Sequence, residues 1–148
     1  MKHHFILIIH LLSATVWVGG HLFLLLRVLP FAWKNKNLNE LKQFKNKFEP
    51  LGLTALALLF ITGLFLAYDF NVTFSTWFTF SNAIEKVVSI KITLFFFTVT
   101  LAITAQVVLF RKYSNPPSLL KTTFFIATVT VIAVFMLVLG SLIRIGGI

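Results

Sequence analysis

With 148 residues, 58% of them hydrophobic, a mean hydropathy of +0.94 and only 11% charged, the chain is too apolar for a water-soluble domain of ordinary composition. Its net charge of +9 would suggest nucleic acid in a soluble protein, but the basic residues fall between apolar runs, so the expected partner is a lipid bilayer and no nucleic acid. Cysteine is absent, which excludes a structural disulfide, thiolate ligation and a cysteine nucleophile.

Four apolar runs, at about residues 5–29, 51–68, 87–109 and 122–143, are each long enough to cross a hydrocarbon core of roughly 30 Å at ~1.5 Å per helical residue. Backbone in lipid must satisfy its own hydrogen bonds, and the short alternating segments of a barrel are missing from the sequence. The predicted fold is therefore all-α: an integral membrane four-helix bundle forming a single transmembrane domain over residues 1–148.

The first run begins like a signal peptide, with Lys2 ahead of an apolar stretch, yet it continues without a charge to Arg27 and is read as a retained helix. In the first connection, Asn37 and Glu40 have capping-box spacing. Leu38, Leu41, Phe44 and Phe48 then recur at helical intervals among lysines, which predicts an interfacial amphipathic helix between the first two spans, ended by Pro50. The second connection, from Asp69 to Lys86, is aromatic and polar and suits the membrane boundary, as a lid over the end of the bundle. SNPPS, residues 114–118, predicts a turn before the fourth span, because two prolines cannot continue a helix.

Arg27, Lys34, Lys36, Lys42, Lys45, Lys47, Arg111, Lys112 and Lys121 lie on one side of these spans, against Lys2, Lys86, Lys91 and Arg144 on the other. By the positive-inside rule this asymmetry places both termini in the periplasm of a bacterial-type inner (plasma) membrane.

Inside the first span stands HLLSATVWVGGHL, residues 10–22, with two imidazoles in an otherwise apolar run. A separation of eleven residues is about three helical turns, so His10 and His21 share a face within roughly 20° but lie ~16 Å apart along the axis. They cannot bind one metal ion together. Trp17 lies between them on that stripe. For a single membrane histidine a helix–helix hydrogen bond to Ser or Thr is an equal alternative, whereas two on one stripe beside small residues favour a cofactor. Gly20 suits either close helix packing or the approach of a flat macrocycle to the backbone. Lys91 and Arg144, near span ends on the side of His10, are the cations a haem propionate would need at the water boundary, with snorkelling to phospholipid as the alternative. The other spans contain no histidine, so a haem iron would be five-coordinate, or take Met136 or a ligand from a second subunit in a homodimer as its sixth ligand.

The run IHLLSATVWVGGHLFLLLRVLP, with FEPLGLTALALLFITGLFLA in the second span, Lys91 opening the third and FRKYSNPP after it, resembles the small CopD-type membrane proteins associated with copper resistance. The GGH element is close to that CopD-type group. In layout the chain is also similar to HemJ-type proteins, four-helix haem-associated membrane proteins implicated in protoporphyrinogen oxidation, whose key histidine and lysine correspond to His10 and Lys91 here. The resemblance implies a haem b-binding membrane redox protein, an oxidoreductase or electron-transfer protein with quinone or oxygen as partner. His10 is the preferred iron ligand and His21 a second ligand or proton-active site. The alternative is a copper-binding or copper-transport protein using the same histidines, although Met1 and Met136 are the only sulfur ligands.

Overall fold

In the computed structural model the described residues are 2–109, 118–143 and 146. Every regular element among them is helical: α1 (Lys2–Phe23), a π-helical turn (Leu24–Val28), α2 (Leu29–Lys34), α3 (Asn39–Asp69), α4 (Ala83–Leu109) and α5 (Leu119–Ile143). Four of the resulting rods are long and apolar enough to cross a membrane: Lys2–Lys34, Asn39–Asp69, Ala83–Val107 and Leu119–Ile143. The chain is a multi-pass four-helix membrane bundle. Residues 110–117, which include Arg111, Lys112 and all of the SNPPS turn but Ser118, lie outside the described residues, as does Arg144.

The first rod is longer than the predicted 5–29 span because helix persists through Pro30. Pro30 has no N–H to give the carbonyl of Leu26, and the register is carried past it by the wider turn, in which the N–H of Leu29 donates to the carbonyl of Leu24.

The amphipathic stretch after Asn37 is helical as expected, with Asn37 Oδ1 accepting the N–H of Asn39 at 2.9 Å. It does not end at Pro50. One helix of 31 residues runs through it, longer than a hydrocarbon core of roughly 30 Å requires at ~1.5 Å per residue. The proline deprives only the carbonyl of Asn46 of its partner, on an exposed turn. Packing offsets that loss, since the apolar face predicted for the interface turns inward. Leu41 is buried against Leu29 and Ala32, and Phe44 lies between Phe23 and Phe48. Lys42 and Lys47 stay exposed, while Lys45 is half-buried on Glu49.

α3 ends in a left-handed Asn71 (φ 59°), with the N–H of Val72 returning to the carbonyl of Ala67 at 2.9 Å. The following connection folds down on the bundle. Val72 and Trp77 pack with Ala67 of α3 and Val88 of α4, while Phe70, Phe74, Phe78 and Phe80 of the same aromatic connection stay exposed.

α1 packs closely against α3 and α5, and α4 against α5. The central cluster is Trp17, Val18, Ala55, Leu56, Val129 and Ala133. α3 and α4 meet instead through long side chains, chiefly Phe60 stacked on Phe95 at 4.7 Å and Glu49 accepting a hydrogen bond from Gln106. Threonines within the spans satisfy their hydroxyls on their own helix, as Thr98 does on the carbonyl of Leu94 and Thr130 on that of Ile126.

Candidate functional site

His10 lies eight residues into α1 and Lys91 eight residues into α4, helices that start at the same end of the bundle, so both sit ~12 Å from their helix starts. Lys91 is near enough to His10 to act on its charge. The other two helices make room for these side chains with glycine. On α3, a Cβ at Gly63 would lie 3.4 Å from His10 Cε1, and on α5 a Cβ at Gly140 would lie 3.3 Å from Lys91 Nζ. All four spans therefore contribute to one polar locus.

Thr62 Oγ1 lies 2.8 Å from His10 Nδ1 and 2.5 Å from the carbonyl of Leu58. This is the helix–helix hydrogen bond to a threonine that the sequence offered as the alternative to a cofactor. With the hydroxyl proton on the Leu58 carbonyl, Nδ1–H donates to Thr62 and Nε2 carries the lone pair, the arrangement that a metal-ligating imidazole takes from a hydrogen bond on its other nitrogen.

His21 follows the same logic within one helix. Its Nδ1–H donates to the carbonyl of Trp17 at 2.8 Å, again leaving Nε2 as the acceptor. The Trp17 ring tilts over the imidazole at 4.3 Å, and Phe48 meets it edge-on at 6.1 Å. Because α1 is regular from Lys2 to Phe23, the eleven residues between the histidines keep them ~16 Å apart, and they remain separate loci.

Gly20 is occupied by packing. A Cβ there would fall 2.1 Å from Phe48 Cζ, so the space beside the backbone is taken by an aromatic ring of α3. Met136 lies on α5 one turn before Gly140, on the stripe that meets Lys91. Among the described residues no three His, Asp or Glu side chains gather in a group able to hold a metal ion. The amino-terminal Met-Lys-His-His is helical from Lys2, with His3 Nδ1 held 2.6 Å from Asp69 Oδ2 at the end of α3.

Two acidic residues outside the candidate set of the sequence, Glu85 and Glu49, hold elements of the bundle in place. Glu85 is 7% exposed and acts as the cap of α4: its Oε2 accepts from Thr79 Oγ1 at 2.7 Å and from the N–H of Ser81 at 2.9 Å, while its own N–H donates to Asn82 Oδ1 at 2.8 Å. The signal was present as Asn82-x-x-Glu85, the spacing of a capping box. Glu49 accepts from Lys45 Nζ at 2.9 Å and from Gln106 across the α3–α4 seam. Gln106, an amide in an apolar run, was the available hint. No protein-family model, curated protein or solved structure matches the chain.

Proposed function

We propose that this is a haem b-binding membrane redox protein in which His10 ligates the iron. The observation that carries the reading is the 2.8 Å bond that holds His10 Nδ1 on Thr62, which in the Nδ1–H tautomer leaves Nε2 as a ligand inside an apolar bundle, beside a cation. Haem is favoured over copper by ligand arithmetic. A porphyrin brings four donors and asks the protein for one or two, whereas a copper ion draws its donors from side chains, and no cluster of three is assembled among the described residues.

When bound, haem supplies one-electron exchange at iron, suiting electron transfer or the oxidation of a small molecule with quinone or oxygen as the partner. His10 would hold the iron and Lys91 a propionate. Arg144 belongs to the same proposal by its place near the end of the fourth span. His21 would be a second ligand or a proton-active group, with Trp17 fixing its ring through a tilted ring contact and the carbonyl bond. A sixth ligand would come from Met136 or from a second copy of the chain, or the position would stay open. The charge asymmetry supports a bacterial-type inner membrane with both termini periplasmic.

The test is the optical spectrum of protein purified in mild detergent from cells that make haem. A Soret band is expected in the parent and its loss in His10→Ala. A colourless parent carrying stoichiometric copper would overturn the reading in favour of the CopD-like alternative, a copper-handling membrane protein.

A further inference from the structure

We infer that the outer face of α5 at its lysine-rich end binds one anionic phospholipid, with the head-group phosphate on Lys121 and an acyl chain in the groove beside it. The site goes beyond the redox reading and does not depend on haem.

Leu120, Lys121, Phe124 and Phe125 line one open groove of about 400 Å³, a size within the roughly 300–1,000 Å³ of ligand sites. Helix geometry brings them together. Leu120 and Phe124 are four residues apart, as are Lys121 and Phe125, so the two pairs stand side by side on one face. α5 begins at Leu119, which puts Lys121 in the first turn and both phenyl rings one turn farther into the span. The groove therefore has a cation at its mouth and an apolar floor that runs toward the bilayer centre. The other described helices leave this floor open: Leu120 is 68% and Phe124 69% exposed.

A second contact sets the height of the groove. Trp33 Nε1 donates to Thr123 Oγ1 at 2.8 Å, joining the end of α2 to this turn of α5, while the indole itself stays exposed. An exposed tryptophan with its N–H satisfied belongs at the membrane–water boundary. Lys121, two residues before Thr123, is thus at head-group level.

Charge selects the head group. The chain has four carboxylate side chains, and all of them are described. Asp69 and Glu85 lie at the other end of the bundle. Glu49 is held by Lys45 and Gln106, and neither it nor Glu40 forms an ion pair with Lys121. FRKYSNPP, residues 110–117 just upstream, adds two cations and no acid. A cation without a carboxylate of its own, at the mouth of an apolar groove, is complementary to a phosphodiester carrying acyl chains. A zwitterionic head group brings its own cation beside the phosphate and gains less from Lys121. A soluble anion would meet the lysine but leave the phenyl floor uncovered.

The experiment titrates full-length protein, delipidated in mild detergent, with phosphatidylglycerol or phosphatidylcholine and counts bound lipid by native mass spectrometry. The first phosphatidylglycerol is expected to bind several-fold more tightly than phosphatidylcholine. Lys121→Gln should weaken phosphatidylglycerol about fivefold and leave phosphatidylcholine unchanged, as for the loss of one cation facing an anionic head group. Phe124→Ala should weaken both lipids alike, because it removes floor and no charge. Lys47→Gln, an exposed cation on α3 at the same end of the bundle, should leave the first phosphatidylglycerol unaffected. Equal affinity of the parent for the two lipids overturns the proposal. So does a loss in Lys47→Gln as large as in Lys121→Gln, which would mark diffuse attraction to a basic surface. Displacement of phosphatidylglycerol by inorganic phosphate overturns it as well, since the groove would then hold an anion and no chain.

Discussion

His10 Nδ1 lies 2.8 Å from Thr62 Oγ1, a bond between residues 52 positions apart that ties α1 to α3 and orients the imidazole. The ring position of His10 depends on this hydroxyl. Thr62→Val keeps the shape and removes the acceptor. The expected loss of stability is about 1 kcal/mol, in line with interhelical hydrogen bonds within membranes. The more telling outcome follows from the proposed haem site and is spectral: if His10 holds the iron, Thr62→Val should bind haem more weakly, with a shifted Soret maximum. A Thr62→Val protein with unaltered spectrum and haem content would mean that the hydroxyl serves packing alone.

Gly20 illustrates a residue whose chemistry has two readings in the sequence and one physical consequence in the structure. With Phe48 Cζ 2.1 Å from the Cβ position, Gly20→Ala must displace a ring held between Phe44 and His21. A destabilisation of about 1–3 kcal/mol is expected, as for overpacked cores. Phe48→Leu in the same chain should recover part of it. Thermal unfolding of the two single variants and the double variant checks this, and strictly additive losses would show that the two side chains do not compete for the same space.

The cap at the start of α4 makes a third expectation. Asn82 and Glu85 hold the end of the connection that seats Trp77, and Phe78 and Phe80 adopt left-handed backbone (φ 72° and 54°) within it, a conformation bulky residues rarely take. Glu85→Ala removes the acceptor of Thr79 and Ser81 and should cost about 1 kcal/mol. Because the strain at Phe78 and Phe80 is then less well restrained, amide exchange over residues 73–82 should speed up selectively. Uniform acceleration throughout α4 would instead mean that the whole helix, and not its cap, depends on Glu85.

The spans were legible in the sequence because hydrocarbon thickness and backbone desolvation leave few alternatives for runs as apolar as these. The same holds for the separation of His10 from His21, which follows from helix rise alone. Placing His10 and Lys91 at one level was accessible from their equal depth in spans that start at the same end. The contribution of Thr62, Gly63 and Gly140 was not, since nothing in their local sequence says which helices become neighbours. Pro50 misled for a related reason: its local preference to end a helix is outweighed by Leu41 packing against α2 and Phe48 against α1, a tertiary effect that no window around residue 50 contains. Glu49 was similarly opaque, its partner lying 57 positions away.

That partnership supports the last expectation. Elsewhere α1–α3, α1–α5 and α4–α5 are close pairs, but α3 and α4 depend on side chains to stay together, with Glu49–Gln106 at the lysine-rich end and Phe60–Phe95 farther in. A carboxylate accepting from an amide donor is a charge-assisted bond, stronger than a neutral one, and α3 itself presents Lys45 to the same carboxylate at 2.9 Å. Glu49→Gln weakens both contacts and Gln106→Leu only one, so a double-mutant cycle isolates the interhelical part. Coupling of about 0.5–1.5 kcal/mol is expected in unfolding by mixed detergent, within the range found for directly bonded pairs. Either single variant should also increase solvent or lipid access along the seam, read by labelling a cysteine placed at Phe96, which is exposed beside Phe95. Coupling near zero together with unchanged labelling would show that the aromatic stack alone holds α3 to α4, and that the Glu49 carboxylate is held by Lys45 within its own helix.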